Sequence, residues 1–334
     1  MNFLSYTSLI CLLLVQQRAF GQLAAKGRLI DESGTAIAFA TVGIFSKGIG
    51  TITELDGSFA FELPSDLINE NLSFSAVGFE KRAIKVSDFL SLKESTIVLR
   101  VSITELDEVS ISTASLGVSR YQMTEKGNIL YNTGTIRLDN EKNGGAMALL
   151  VQHDNAPFKV GKSRLMIKRN SLGEFKVRIR FLSVNDQGQP GEDLIEKSLV
   201  YKSDINSGWL RIDLSSENIW IKDREFFLAY EWVMDREARE LLQQQLEEHL
   251  SLSPEYLSEN TFETEGEDIH ERLIKGFKKG VWFGSLVDQN LSKKFKCYYR
   301  LNSADQWKRS GAILAADVAI SDIRRKFKEE KVDE

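Results

Sequence analysis

The chain has 334 residues, enough for two ordinary domains with separate cores. Apolar residues make up 42%, charged residues 27%, and there are four prolines, which excludes a disordered or collagen-like polymer. The 43 basic and 48 acidic residues are interspersed and sum to −5, so there is no extended cationic field for nucleic acid.

Leu9 to Val15 reads LICLLLV and is followed by Arg18 and by Ala19-Phe20-Gly21, a small-x-small site before Gln22. This predicts a signal peptide over residues 1–21, cleaved on export, because the apolar run is far shorter than the ~20 residues of a spanning helix. Cys11 lies behind Leu9 and Ile10, where a lipobox requires a small residue, so lipidation is not expected. Cleavage leaves Cys297 as the remaining cysteine, so no intrachain disulfide is expected and the thiol reads as buried. No later segment is apolar for long enough to predict a transmembrane helix.

Residues 22–100 read as the first domain. From Lys26 to Leu99, short runs of period-two character alternate with Gly, Asp and Ser turn signals, predicting about seven strands in a sandwich. Phe59, Phe61 and Leu63 alternate with Ser58, Ala60 and Glu62, and Leu72, Phe74 and Ala76 with Ser73 and Ser75, so each strand hides one face. Asp56-Gly57 predicts a tight hairpin turn in which glycine supplies a positive φ.

An ordered set of residues carries a family resemblance: Gly27-Arg28-Leu29, Asp31, Gly34, Ile37 to Val42, Gly50 to Thr53, Asp56 to Phe59 and Gly78-Phe79. In order and spacing the segment resembles the carboxypeptidase-regulatory-like domain of Bacteroidetes envelope proteins, although proline is absent near Ala36. The resemblance implies a transthyretin (prealbumin)-like β-sandwich and says nothing of activity, because this domain accompanies many functions. Leu106 with Asp107-Glu108-Val109 also resembles the segment that follows the domain in TonB-dependent receptors. The roughly 200 residues beyond it are too few for a barrel of about 22 strands.

A zinc carboxypeptidase needs His and carboxylate ligands and a Glu base. The three histidines, His153, His249 and His270, are scattered, and His270-Glu271 lacks a second ligand because position 274 is Ile274. No metal and no cofactor is expected. There is no Gly-x-Ser-x-Gly elbow, Walker loop or dinucleotide glycine motif, so no catalytic residue is assigned.

Residues 101–125, polar and Ser/Thr-rich, read as a connector. The second domain, 126–325, is expected to be a jelly-roll-like β-sandwich with a helical and acidic insertion at 235–275, so that the whole chain is all-β. Leu165 and Ile167 point inward, as do Phe175, Val177, Ile179 and Phe181, with Lys176, Arg178 and Arg180 on the opposite side of a half-buried strand. Asn170 to Gly173 is expected to join the two runs as a hairpin. Asn185 to Gly191 reads as a solvated turn rather than a calcium loop. Gly208 to Leu214 alternates, and Glu225 to Trp232, EFFLAYEW, reads as a central strand buried on both faces. Gly280 to Leu286, Phe295 to Leu301 and Ile313 to Ile320 would complete the sheets. Ala238, Leu241, Leu242, Leu246 and Leu250 share a helical face, with Asp235 as N-cap. The acidic stretch Glu255 to Glu271 follows, making the insertion either a lid or contact surface, or a solvated flap. Residues 326–334 are a charged tail.

The hairpin reading places Arg164, Lys168, Lys176, Arg178 and Arg180 on one face. One reading is cross-strand pairing with acids such as Asp213 or Glu231; the other is a binding patch of Arg178 and Arg180, with Trp209 stacking, for an anionic glycan or an acidic protein surface. Trp209, Tyr230 and Trp232 would form a sugar platform or, as favoured here, part of the core. The expectation is an exported, non-catalytic envelope protein, periplasmic, outer-membrane-associated or secreted, that binds a glycan or envelope protein. The alternative is a glycan hydrolase with dispersed carboxylates, which needs two acids converging in a pocket of the second domain.

Overall fold

In the computed structural model, which describes residues 22–92, 95–102, 116–121, 143–153, 156–251, 279–286 and 295–323, the alternation of Phe59, Phe61 and Leu63 buries those three side chains and leaves Ala60 and Glu62 exposed. They belong to the first of two sandwiches, built from β1 (Gln22–Asp31), β2 (Thr41–Ile44), β3 (Ile49–Ile52), β4 (Ser58–Pro64), β5 (Asn71–Ser75), β6 (Arg82–Lys85), the short helix α1 (Val86–Leu90) and β7 (Thr96–Leu99). One sheet has the order β4-β1-β7, the other β3-β2-β5-β6. β1 pairs antiparallel with β4 and parallel with β7. Phe59, Phe74 and Phe89 meet with ring centroids 6.0 Å apart in each pair and close the space between the sheets, in the tilted and edge-on geometries that aromatic quadrupoles favour. Gly57 adopts φ 78° as predicted, but its turn leads from one sheet to the other, because β3 and β4 lie in different sheets.

The second sandwich comprises β8 (Leu116–Tyr121), β9 (Ala146–Gln152), β10 (Phe158–Asn170), β11 (Phe175–Val184), β12 (Pro190–Asp193), β13 (Leu199–Ser203), β14 (Gly208–Asp213), β15 (Trp220–Ile221), β16 (Glu225–Val233), α2 (Arg236–Leu250), β17 (Val281–Phe283), β18 (Ser285–Leu286), β19 (Cys297–Arg300), β20 (Lys308–Arg309), β21 (Ile313–Leu314) and β22 (Ala316–Ile323). One sheet runs β14-β10-β22-β8, with β15 and β17 also on β10; the other runs β12-β11-β16-β9-β19-β20, with β13 also on β11. Phe158, Leu165, Phe175, Ile179, Phe226 and Ile320 are among the side chains filling the space between them. Central strand β16 is buried on both faces, as EFFLAYEW predicts. Tyr230 and Trp232 are core residues, and the Tyr230 hydroxyl meets that of Ser163. Asn185 Oδ1 accepts from Gln187 and Gln189 N–H, closing the predicted turn.

Three expectations are corrected. Residues 101–125 are not all connector, because β8 pairs antiparallel with β22 as an edge strand of the second sandwich. β10 and β11 do not form a hairpin. They lie in different sheets, because Leu172 in the turn inserts into the core and Asn170 Nδ2 binds the Gly173 and Ile205 carbonyls at 2.6 and 3.3 Å. The chain is thereby arched between layers instead of flattened into one. β11, expected to be half-buried, is buried on both faces over most of its length, because the first sandwich covers its charged side.

That cover is close. The Gly43–Gly50 pair of β2 and β3 leaves room for Ala304 of the second sandwich: a Cβ on either glycine would stand 2.9 or 2.8 Å from the Ala304 methyl. Asn302 Nδ2 donates to the Gly48 carbonyl at 2.9 Å, and Ser303 Oγ to that of Thr51 at 3.3 Å. Phe39, Ile52 and Val233 form a buried apolar cluster across the boundary. Gly78 lies against the Glu196 carbonyl, where a Cβ would meet oxygen at 2.3 Å. The two sandwiches are therefore docked on backbone and on apolar contact.

Candidate functional site

Two charged constellations lie at this boundary, one buried and one open. In the buried one, Glu231 of β16 is fully enclosed. Its Oε1 accepts from Arg178 Nη2 at 2.6 Å, and its Oε2 from Arg300 Nη2 at 3.0 Å and from Arg180 Nη1 at 3.4 Å. Arg180 also forks onto Asp193, Nε to Oδ1 at 2.9 Å and Nη2 to Oδ2 at 2.6 Å. Arg178 Nη1 reaches into the first sandwich and donates to the Phe39 carbonyl at 2.5 Å. Phe39 holds φ 59°, a left-handed conformation that costs a bulky residue about 1–3 kcal/mol; the arginine and the apolar cluster hold it there.

The electrostatics follow from this packing. Burial pushes the Glu231 carboxyl up, but Arg178, Arg300 and Arg180 outweigh it and hold the group at about 2. Burial works against Arg180 too, yet Asp193 and Glu231 raise its pKa. Arg300 shares Glu231 with two other cations, and Asp193 is a second, weaker carboxylate influence on it. Burial, together with the repulsion of those cations, lowers it to about 10 despite Glu231. Trp307 covers its guanidinium, 4.9 Å from the ring centroid.

This arrangement relocates the sequence-predicted basic row. Arg178 is only 3% exposed, out of reach of a ligand in solution, and pairs with Glu231 as the pairing reading expected. Lys176 pairs with Asp235 and Arg164 with Asp317, while Asp213 meets exposed Lys162 at 3.7 Å. Arg164 and Lys168, on β10, are in the sheet opposite Lys176, Arg178 and Arg180, so the five do not share a face. Trp209 is half-buried, with the Arg164 guanidinium 4.7 Å from its ring centroid. Cys297 is buried, which pushes its thiol up to about 11. His270-Glu271 and the acidic stretch lie outside the described residues. Among the described residues, no group of three His, Cys, Asp or Glu side chains is placed to hold a metal ion, and no helix is long and apolar enough to cross a membrane.

The open constellation is a groove of about 940 Å³ between the first sandwich and α2. Its floor and one wall come from β1, β3 and β4, at Lys26, Thr51 and Ser58 to Ala60; the facing wall is α2, at Arg236, Arg239, Glu240, Gln243, Gln244 and Glu247. The helix forms where the sequence predicts it. Asp235 caps it by accepting from Ala238 N–H at 3.0 Å, and Leu242 is fully buried, with Ala238 and Leu246 packed beside it. Leu241, expected on the same apolar face, is 37% exposed. Glu54 fixes the helix to the first sandwich: its Oε2 accepts from Arg236 N–H at 3.0 Å and its Oε1 pairs with Arg239, a carboxylate placed where the helix dipole is positive. Sequence reasoning found the helix but not the groove. The usable signal was its polar side, which carries Glu240, Gln243 and Glu247 at helical spacing.

Proton-transfer chemistry calls for an acid held near neutrality. Asp31, Asp56, Asp213, Glu231 and Asp235, the described carboxylates with displaced pKa values, are all displaced downward. The groove offers charge, side-chain amides and strand backbone, and Phe59 in its lining is buried, so among the described residues no aromatic platform for a sugar is exposed there.

No curated protein matches the sequence. Residues 25–111, about a quarter of the chain, match the family model of the CarboxypepD_reg-like domain. The first sandwich is thus a CarboxypepD_reg-like domain of transthyretin-like fold, joined to a second all-β sandwich.

Proposed function

We propose that the chain is an exported, non-catalytic protein of the cell envelope that binds a macromolecular partner, with the groove between α2 and the first sandwich as its docking surface. The observation that carries this reading is the groove itself. It is open, lined by hydrogen-bonding and charged groups, and framed by the first sandwich and a helix that Glu54 fixes to it, so a partner meets a preformed surface and loses little affinity to reorganisation. The buried arginines around Glu231 serve rigidity. Export rests on the leader-like residues 1–21.

A photoreactive phenylalanine analogue at Gln244, in the groove wall, tests the reading in cells that produce the protein. The expected result is a discrete covalent adduct from Gln244 and none from the same analogue at Asp186, an exposed turn residue outside the groove. Equal adduct from both positions, or none from Gln244, would remove the groove as the docking surface.

A further inference from the structure

Resting on that reading, we infer that the groove takes an extended basic peptide segment, which adds as a new strand to the outer edge of β4 with alternate side chains facing Glu240 and Glu247. Among the described residues β4 ends its sheet, with β1 on one side and no strand on the other. Which of its backbone groups are free follows from the ladder. Leu29 N–H donates to the Gly57 carbonyl at 2.9 Å, and the antiparallel register continues through Gly27↔Phe59 and Ala25↔Phe61. Antiparallel pairs alternate the direction of their backbone groups, so Phe59, Phe61 and Leu63 direct N–H and C=O at β1, while Ser58, Ala60 and Glu62 direct theirs outward. The Ser58 carbonyl already accepts from Glu54 N–H at 2.8 Å. Among the described residues nothing pairs with the outward groups of Ala60 and Glu62, and Ala60 lines the groove with a side chain small enough for another strand to come close.

An unpaired edge is a template for a further strand, and the charges around it select which one. Arg239 pairs with Glu54, and Arg236 and Arg28 both act on Asp56, whose carboxyl they help to hold down behind the Ser58 hydrogen bonds. Against Lys26 there remain Glu240 and Glu247 on the helix and exposed Glu62 on β4 itself. With Arg28 counted, five acids stand against four cations around the edge, and because side chains of a strand alternate, a segment with lysine or arginine at every second position turns one row of cations to Glu240 and Glu247 of the helix.

The test uses the full chain and three blocked decapeptides read by fluorescence anisotropy: (Lys-Thr)5, (Glu-Thr)5, and (Lys-Pro)5, which has the same charge but half as many backbone donors. Ala60→Pro removes an N–H that faces away from β1, so the ladder to β1 stays intact while the edge is blocked; circular dichroism verifies the fold. Glu240→Lys with Glu247→Lys changes only the polar face of α2. The expected result is (Lys-Thr)5 binding at least about tenfold tighter than either control, an equal loss in Ala60→Pro, and a switch of preference to (Glu-Thr)5 in the charge-reversed protein. Equal binding of (Lys-Pro)5, unchanged affinity in folded Ala60→Pro, unaltered preference after charge reversal, or no binding at about 1 mM peptide would each overturn the inference. An adduct from Gln244 in cells that survives Ala60→Pro would leave partner binding standing and remove strand addition. Loss of any Gln244 adduct in the unmodified protein would remove partner binding itself.

Discussion

Glu231 is enclosed, yet three guanidinium groups hold it ionised with a pKa of about 2 against an ordinary 4.5. A carboxyl whose folded pKa is depressed stabilises fully above its unfolded pKa and loses that stabilisation as pH falls through the folded value. The window is therefore pH 4.5 down to about 2, and the shift corresponds to about 3 kcal/mol. Glu231→Gln leaves Arg178, Arg180 and Arg300 facing one another without their shared anion, and is expected to cost about 3–5 kcal/mol at pH 7. Urea denaturation at a series of pH values checks both parts: the variant should be less stable at neutrality and show a flatter decline across the window. An unchanged acid slope would mean that Glu231 is not the group responsible. Half of this pairing was legible in the sequence, since Glu231 and the β11 cations were recognised as cross-strand partners. Their burial was not, because a period-two pattern says only that Lys176, Arg178 and Arg180 face away from their own sandwich, and is silent on whether another one covers them.

At the scale of elements, α2 was the most readable feature, because its N-cap and its Ala238, Leu242 and Leu246 stripe are local signals. The groove it walls was not readable, since it depends on Glu54, 182 residues before Arg236. Glu54→Gln keeps the shape but removes the charge at the helix start, and should weaken the first turn by about 1 kcal/mol. Amide hydrogen exchange should then be faster in that turn and unaffected around Leu242; uniform protection through the helix would show that Asp235 alone suffices. The arch between β10 and β11 teaches a related lesson. Alternation identified both strands and their inward residues, but whether two neighbouring strands pair or cross between layers is decided in the turn, where Leu172 takes a core position.

Across the whole molecule, the two sandwiches share the Phe39, Ile52 and Val233 cluster and the seating of Ala304 on two glycines. They are expected to unfold together, in one calorimetric transition. Ala304→Leu places three extra carbons where no space exists, and the overpacking should cost about 1–3 kcal/mol at the boundary while leaving each separate core untouched. The expected outcome is two resolved transitions and a larger radius of gyration by X-ray scattering; one sharp transition at the original temperature would show that the boundary yields without cost. Composition and alternation made both β-sandwiches legible, because each core is built within one continuous stretch of the chain. The docking surface was hidden, since it is made from glycines and carbonyls whose sequence signal is indistinguishable from that of ordinary turns. The placement of Arg178 on the Phe39 carbonyl also bears on the order of assembly. The first sandwich precedes the second in the chain and is able to fold first, so a finished surface is already waiting when the later strands bring their cations together, and the most crowded charges of the protein need never linger without a roof.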